Sequence, residues 1–285
     1  MRVLVTGAEG QLGQDVVKAL KSQGIDFLGV DKDKMDITLT DMVHQVFEDY
    51  NPDVVVHCAA YTAVDKAETE KELCYNINVI GTRNLAMNCK KFNAKMVYIS
   101  TDYVFDGLGE EPFQANQQPD PVNYYGQTKY EGEQEVKKLL SDYFILRISW
   151  VFGVNGHNFV KTMLKLGRER EEISVVSDKI GSPTYTTDVA KMIVEMIKTD
   201  KYGIYHMTNS GYCSWSEFAS TIFQQAGINC KVHPILTKDY PTAAKRPLNS
   251  RMVTEDTFKQ FGLKQRIWKE ALNDYLVETF EINKK

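Results

Sequence analysis

The chain has 285 residues, 43% hydrophobic and 25% charged, ordinary globular text long enough to bury one large core or two unequal ones. Disordered, collagen-like and coiled-coil classes are excluded. Lysine and arginine number 34 against 38 aspartates and glutamates, a net charge of −4 with no basic block, which argues against a dedicated nucleic-acid binder. Five cysteines with no CxxC spacing read as buried thiols. Strand-like text begins at Arg2 with no leader before it, and no apolar run approaches a bilayer span, so the expectation is a soluble, cytoplasmic protein with no membrane partner.

Short Val- and Ile-rich runs alternate with amphipathic segments through the first half. The strands expected are Val3 to Thr6, Phe27 to Val30, Val54 to His57, Met96 to Ser100 and Phe144 to Ile148, with helices from Leu12, Thr40, Glu72 and Gln127. This predicts an α/β fold, a doubly wound parallel sheet of Rossmann type. After Trp150 the pattern loosens into helix at Phe159 to Arg170, strand at Ile173 to Val176, helix at Asp188 to Lys198 and strand at Gly203 to Met207. Ser214 and Glu217 have capping-box spacing before a helix through Ala226, and Thr254 and Trp268 open further helical text. The expected division is a dinucleotide-binding domain over 1–150 and a smaller α/β substrate lobe over 151–285, with some segments of the latter returning to the first. Residues 110–121 read as a loop.

Gly7, Gly10 and Gly13 form GxxGxxG between the first strand and first helix. Glycine allows the tight turn and close backbone approach that a diphosphate needs, and free amides at the helix start attract its charge. Asp31 closes the second strand, where an acid meets the adenosine ribose and favours NAD. Lys32 and Lys34 beside it could neutralise a 2′-phosphate, so NADH and NADPH both stay open. Asp36 and Ile37 follow where an adenine could lie.

Tyr125 and Lys129 make YxxxK. Four residues advance a helix by about 400°, leaving these side chains about 40° apart, whereas Tyr124 would lie about 140° from Lys129. Reducing a carbonyl puts negative charge on oxygen as hydride arrives. A positioned phenol can donate the proton, and an adjacent ammonium can hold a cofactor ribose and ease the phenol's proton transfer. Thr101, ending the fourth strand at the carboxyl edge, offers a second hydrogen bond to that oxygen. The five histidines show no metal spacing, so no metal is expected.

Glycine loop, Thr101 and Tyr125 with Lys129 together resemble the extended short-chain dehydrogenase/reductase family, as do Cys58-Ala59-Ala60 and Asn78 to Thr82. Within it, Ala59 to Glu68 (AAYTAVDKAE), Ser100 to Phe105 (STDYVF), Arg147 to Gly153 (RISWVFG), Gly181 to Tyr185 (GSPTY) and Lys245 to Ser250 (KRPLNS) resemble the branch that reduces dTDP-4-dehydro-L-rhamnose at C4. The likeness spans nearly the whole chain. It implies that Gly7, Gly10, Gln11, Leu12, Asp31, Asp36, Ile37, Ala60, Tyr61 and Thr62, with Tyr125 and Lys129, contact NADH or NADPH, and that Thr101, Asp102 and Trp150 contact a nucleotide-sugar substrate. Arg246 could serve its diphosphate as a bidentate donor. Related dehydratases carry a Glu directly after the Asp of the Thr-Asp pair. Tyr103 stands there, which disfavours elimination. Some such reductases are thought to form metal-bridged dimers through glutamates, but the aligned positions carry Asp15 and Thr187. A homodimer stays compatible without that bridge. The alternatives are a reductase or epimerase of another nucleotide-linked ketosugar, and a non-catalytic NADP-binding regulatory subunit.

Overall fold

Each apolar run of the first half becomes a strand: β1 (Arg2–Thr6), β2 (Asp26–Val30), β3 (Val54–His57), β4 (Lys95–Thr101) and β5 (Tyr143–Ile148). The computed structural model describes residues 1–282. With Gly203–His206 these strands build a six-stranded parallel sheet, in which β2, β1, β3, β4 and β5 are adjacent in that order and Gly203–His206 lies outside β5. The lack of polar alternation follows from burial on both faces. Val3, Val5, Val54, Val56 and Val97 point into one core, and Leu4, Val55, Met96 and Tyr98 into another.

The first core is closed by α1 (Gln11–Ser22) packed on the Thr186–Ile197 helix, and it takes in Met192, Ile193 and Met196. The second is closed by α2 (Thr40–Tyr50) and the Thr82–Phe92 and Tyr124–Leu139 helices. Because β2 and β3 flank β1 on opposite sides, the winding reverses there, and a crevice opens at the carboxyl ends of β1 and β3.

A separate apolar cluster joins Phe152, Val160, Phe218, Trp268, Leu272 and Tyr275. It lies under the helices Phe159–Glu169, Trp215–Ala226 and Trp268–Ile282, beside the parallel pair Glu172–Val176 and Lys231–Ile235. Sequence pattern misses Lys231–Ile235, whose text KVHPI carries a proline and whose flanks stay half exposed. The helical text from Glu72 divides into Lys71–Tyr75, a π-helical stretch Asn76–Gly81 and Thr82–Phe92. The Ser214 cap forms, its hydroxyl accepting from the Glu217 amide at 3.1 Å. Glu217 instead faces Lys269 at 3.5 Å, so among the described residues the cap is one-sided. Among the described residues no helix is long and apolar enough to cross a membrane.

Candidate active site

The carboxyl edges of β1, β3, β4 and β5 border a crevice of about 1030 Å³. At its floor Gly7 turns with φ +65°, and a Cβ there would sit 2.7 Å from the Ala59 amide nitrogen. A Cβ on Gly13 would lie 1.9 Å from the Gly7 carbonyl oxygen. Only glycine lets the turn, α1 and the loop after β3 converge this closely. Gly10 caps α1 without a side-chain acceptor, so first-turn amides point at the crevice with the positive end of the helix behind them. Asp31 accepts from the Glu9 amide at 2.9 Å and borders the same space. This cradle fits the diphosphate and ribose of a dinucleotide.

Of the residues singled out from sequence, Gly7, Gly10, Gln11, Leu12, Asp31, Asp36, Ile37, Ala60, Thr62, Thr101, Asp102, Tyr125, Lys129, Trp150 and Arg246 all line the crevice. Tyr61 does not. Its phenol donates to Glu70 at 2.7 Å, and its amide donates to Asn78 at 2.8 Å. Asn78 also reaches the Thr128 hydroxyl at 3.0 Å, tying the loop after β3 to the helix that carries Tyr125 and Lys129.

That helix begins at Tyr124, capped by Asn123, whose side chain accepts from the Gly126 amide at 2.8 Å. Tyr125 therefore stands in the first turn and Lys129 directly beneath it. Burial, reinforced by the Asp102 carboxyl, pushes the Tyr125 phenol well above the ordinary tyrosine range. Burial lowers the Lys129 ammonium to about 7, opposed by Glu133. Thr101 donates to Asp102 at 3.0 Å and accepts from the Tyr103 amide at 3.2 Å. Burial raises Asp102 to about 6 against the hydrogen bonds of Ser250 and Thr101. Tyr103 packs edge-on against Tyr125 with centroids 5.7 Å apart. Below them His57 bridges the hydroxyls of Thr6 and Thr82 at 2.8 and 3.1 Å, and burial holds it neutral at about 3.

Arg246 is not a free fork. It donates to Asp65 at 2.6 Å and to the Tyr103 phenol oxygen at 3.3 Å, and its buried Nε has no partner among the described residues.

A family model described as RmlD substrate binding domain matches residues 1–280. dTDP-4-dehydrorhamnose reductase of Aggregatibacter actinomycetemcomitans is 40% identical, covering 96% of this chain and 97% of its own length. The chain belongs to the dTDP-4-dehydrorhamnose reductase family. Spore coat polysaccharide biosynthesis protein SpsK of Bacillus subtilis is 41% identical across 97% of both chains. The crystal structure of dTDP-4-dehydrorhamnose reductase from Bacillus anthracis in complex with NADP superposes with a TM-score of 0.94, at 47% identity over 98% of this chain and 99% of that one.

This member of the dTDP-4-dehydrorhamnose reductase family also lines its crevice with Gly156, His157 and Trp215, which sequence reasoning did not single out. Gln11 brings the first two in: Asn158 donates to its side-chain oxygen at 2.9 Å, and its own amide donates to the Val151 carbonyl at 3.4 Å. No spacing announces them, because they arrive by tertiary crossing. Asp15 is buried and accepts hydrogen bonds from Thr186 and Thr187. Among the described residues no three His, Cys, Asp or Glu side chains are grouped to hold a metal ion.

Proposed function

We propose that this protein reduces the C4 ketone of dTDP-4-dehydro-L-rhamnose to dTDP-L-rhamnose with NADH or NADPH. The observation that carries the reading is the convergence of Tyr125, Lys129 and Thr101 at the carboxyl edge of the sheet, inside a crevice that starts at a glycine cradle. Residues 1–150 would bind the dinucleotide, with Gly7, Gly10, Gln11, Leu12 and Asp31 along the diphosphate and adenosine ribose. Residues 151–285, together with Asp102, Trp150 and Arg246, would meet the nucleotide sugar. The bound reduced nicotinamide supplies the hydride.

Tyr125 gives its proton to O4. Its raised pKa keeps the phenol protonated at neutral pH, and Lys129, one turn along the same helix, would in its ammonium form stabilise the phenolate left behind. The Thr101 hydrogen is committed to Asp102 in this geometry, so Thr101 reaches the carbonyl oxygen by releasing that bond. Tyr103, held by Arg246, offers no carboxylate for elimination.

The test mixes purified protein, reduced cofactor and dTDP-4-dehydro-L-rhamnose and follows nicotinamide absorbance, with the UDP-linked analogue as control. One cofactor oxidised per sugar reduced supports the reading. Epimerisation with no net oxidation would replace it, as would binding without turnover. The NADP named for the Bacillus anthracis reductase favours NADPH. A cytoplasmic location and a homodimer belong to the same reading; fractionation and sedimentation of the purified protein test them.

A further inference from the structure

Lys129 is 3% exposed, yet it carries an ammonium group that must be held toward the crevice. Its Nζ stands 4.1 Å from the centroid of the Tyr98 ring, well inside the reach of a cation–π contact. Tyr98 is fully buried on β4, behind the crevice lining. It is fixed from three directions. Its hydroxyl donates to the Lys129 carbonyl at 3.1 Å, and the His57 ring lies 5.7 Å from it. Gly132 leaves the notch that the phenol fills, since a Cβ there would come within 2.3 Å of the hydroxyl oxygen.

We propose that Tyr98 is a positioning residue for Lys129: its ring face stands in for lost solvent around the ammonium and holds that group at the crevice wall. The carboxylate that bears most strongly on Lys129 cannot do this alone. Glu133, one turn along the same helix, is engaged by Arg147 at 2.8 and 2.7 Å and by Ser100 at 2.6 Å, so its charge is largely balanced. The other titratable groups bearing on Lys129 are Cys58 and His57 from β3 and its loop and Cys74 from the Lys71–Tyr75 helix, with Tyr125 one turn before it on its own helix. Burial keeps His57 neutral and raises both thiols and the phenol. A quadrupole face therefore supplies what these groups do not.

The inference rests on the functional reading for the importance of Lys129, but its test needs neither cofactor nor substrate. In lysine-labelled free protein, NMR should show the Lys129 side-chain methylene signals displaced upfield by the ring, with Lys129→Met used for assignment. Tyr98→Phe keeps the displacement and the ammonium's titration midpoint. Tyr98→Leu loses the displacement and lowers the midpoint by about one pH unit or more. A stepwise series of fluorinated phenylalanines at position 98 preserves shape while weakening the ring face, so it decides the matter even where the leucine variant does not fold. Its midpoint should fall with each fluorine. A midpoint indifferent to fluorination, or wild-type signals at the ordinary lysine position, overturns the proposal. Loss of reductase turnover in the separate substrate assay would bear on the functional reading alone.

Discussion

Trp215 lies flat against Trp150, ring centroids 3.7 Å apart and planes 14° from parallel. The two come from separate stretches of the chain: Trp150 follows β5, and Trp215 opens a helix over the separate apolar cluster, against which both indoles pack. Trp150 adopts φ +48°, a conformation L-residues seldom take. Gly181 admits its indole, because a Cβ there would meet Trp150 Cε2 at 2.7 Å. Trp215→Ala should leave Trp150 without its stacking partner. A stacked aromatic pair contributes about 0.5–1.5 kcal/mol beyond its buried area, so KM for the nucleotide sugar should rise about 2- to 10-fold. Cofactor affinity, read by fluorescence titration, should stay unchanged. An unaltered KM removes the stack from the substrate wall.

Tyr125→Phe keeps the ring in its edge-on packing with Tyr103 and removes only the proton donor. A general acid contributes about 10² to 10⁴ in rate, or about 3 to 5 kcal/mol of transition-state stabilisation. The expected result is a fall in kcat of that size with cofactor binding retained. Undiminished turnover would reject the proton-donor assignment.

Much of this site is legible before folding, for a physical reason. The glycine turn, Asp31, Thr101 and the Tyr125–Lys129 pair are each local devices at a strand end or on one helix face, so spacing encodes them. Trp215, His157 and the Tyr98 face under Lys129 are different. Each reaches the site across the fold, and a buried tyrosine in a β-strand reads in sequence as core. Arg246 was legible as a crevice residue, but its engagement by Asp65, 181 positions away, was not. The same division holds for the fold. Strands buried on both faces announce themselves as Val-rich runs, while Lys231–Ile235, half exposed and interrupted by proline, does not.

Asp102 ties the site to stability. Burial raises it from 3.8 to about 6, so between about pH 4 and 6 the folded protein binds more protons than the unfolded chain, and stability falls as pH rises through that window. The difference corresponds to about 3 kcal/mol at most for this one group. Asp102→Asn removes the titration while leaving an acceptor for Thr101. Urea unfolding at pH 4.5 and pH 7.5 should show the variant gaining stability relative to the parent at the higher pH. Parallel pH dependence in both proteins would show that Asp102 titrates at its ordinary value.

Glu133 and Arg147 form a bidentate pair with side chains 0% and 1% exposed. Arg147 reaches on to the Ala115 carbonyl at 3.1 Å and packs its guanidinium 5.0 Å from the Phe105 ring. Two charges this deep have already given up hydration, so the pair is worth little against an apolar substitute, but either partner left alone is costly. Glu133→Gln leaves the guanidinium uncompensated and should lose about 3–5 kcal/mol, seen as a lower urea midpoint with an unchanged slope. The double replacement Glu133→Leu with Arg147→Met removes both charges and should recover most of that loss. Arg147 also anchors the 110–121 loop through Ala115, so proteolysis of that loop should quicken in the double variant even though its global stability returns. A single variant within about 1 kcal/mol of the parent would mean that water reaches the pair, contrary to its burial.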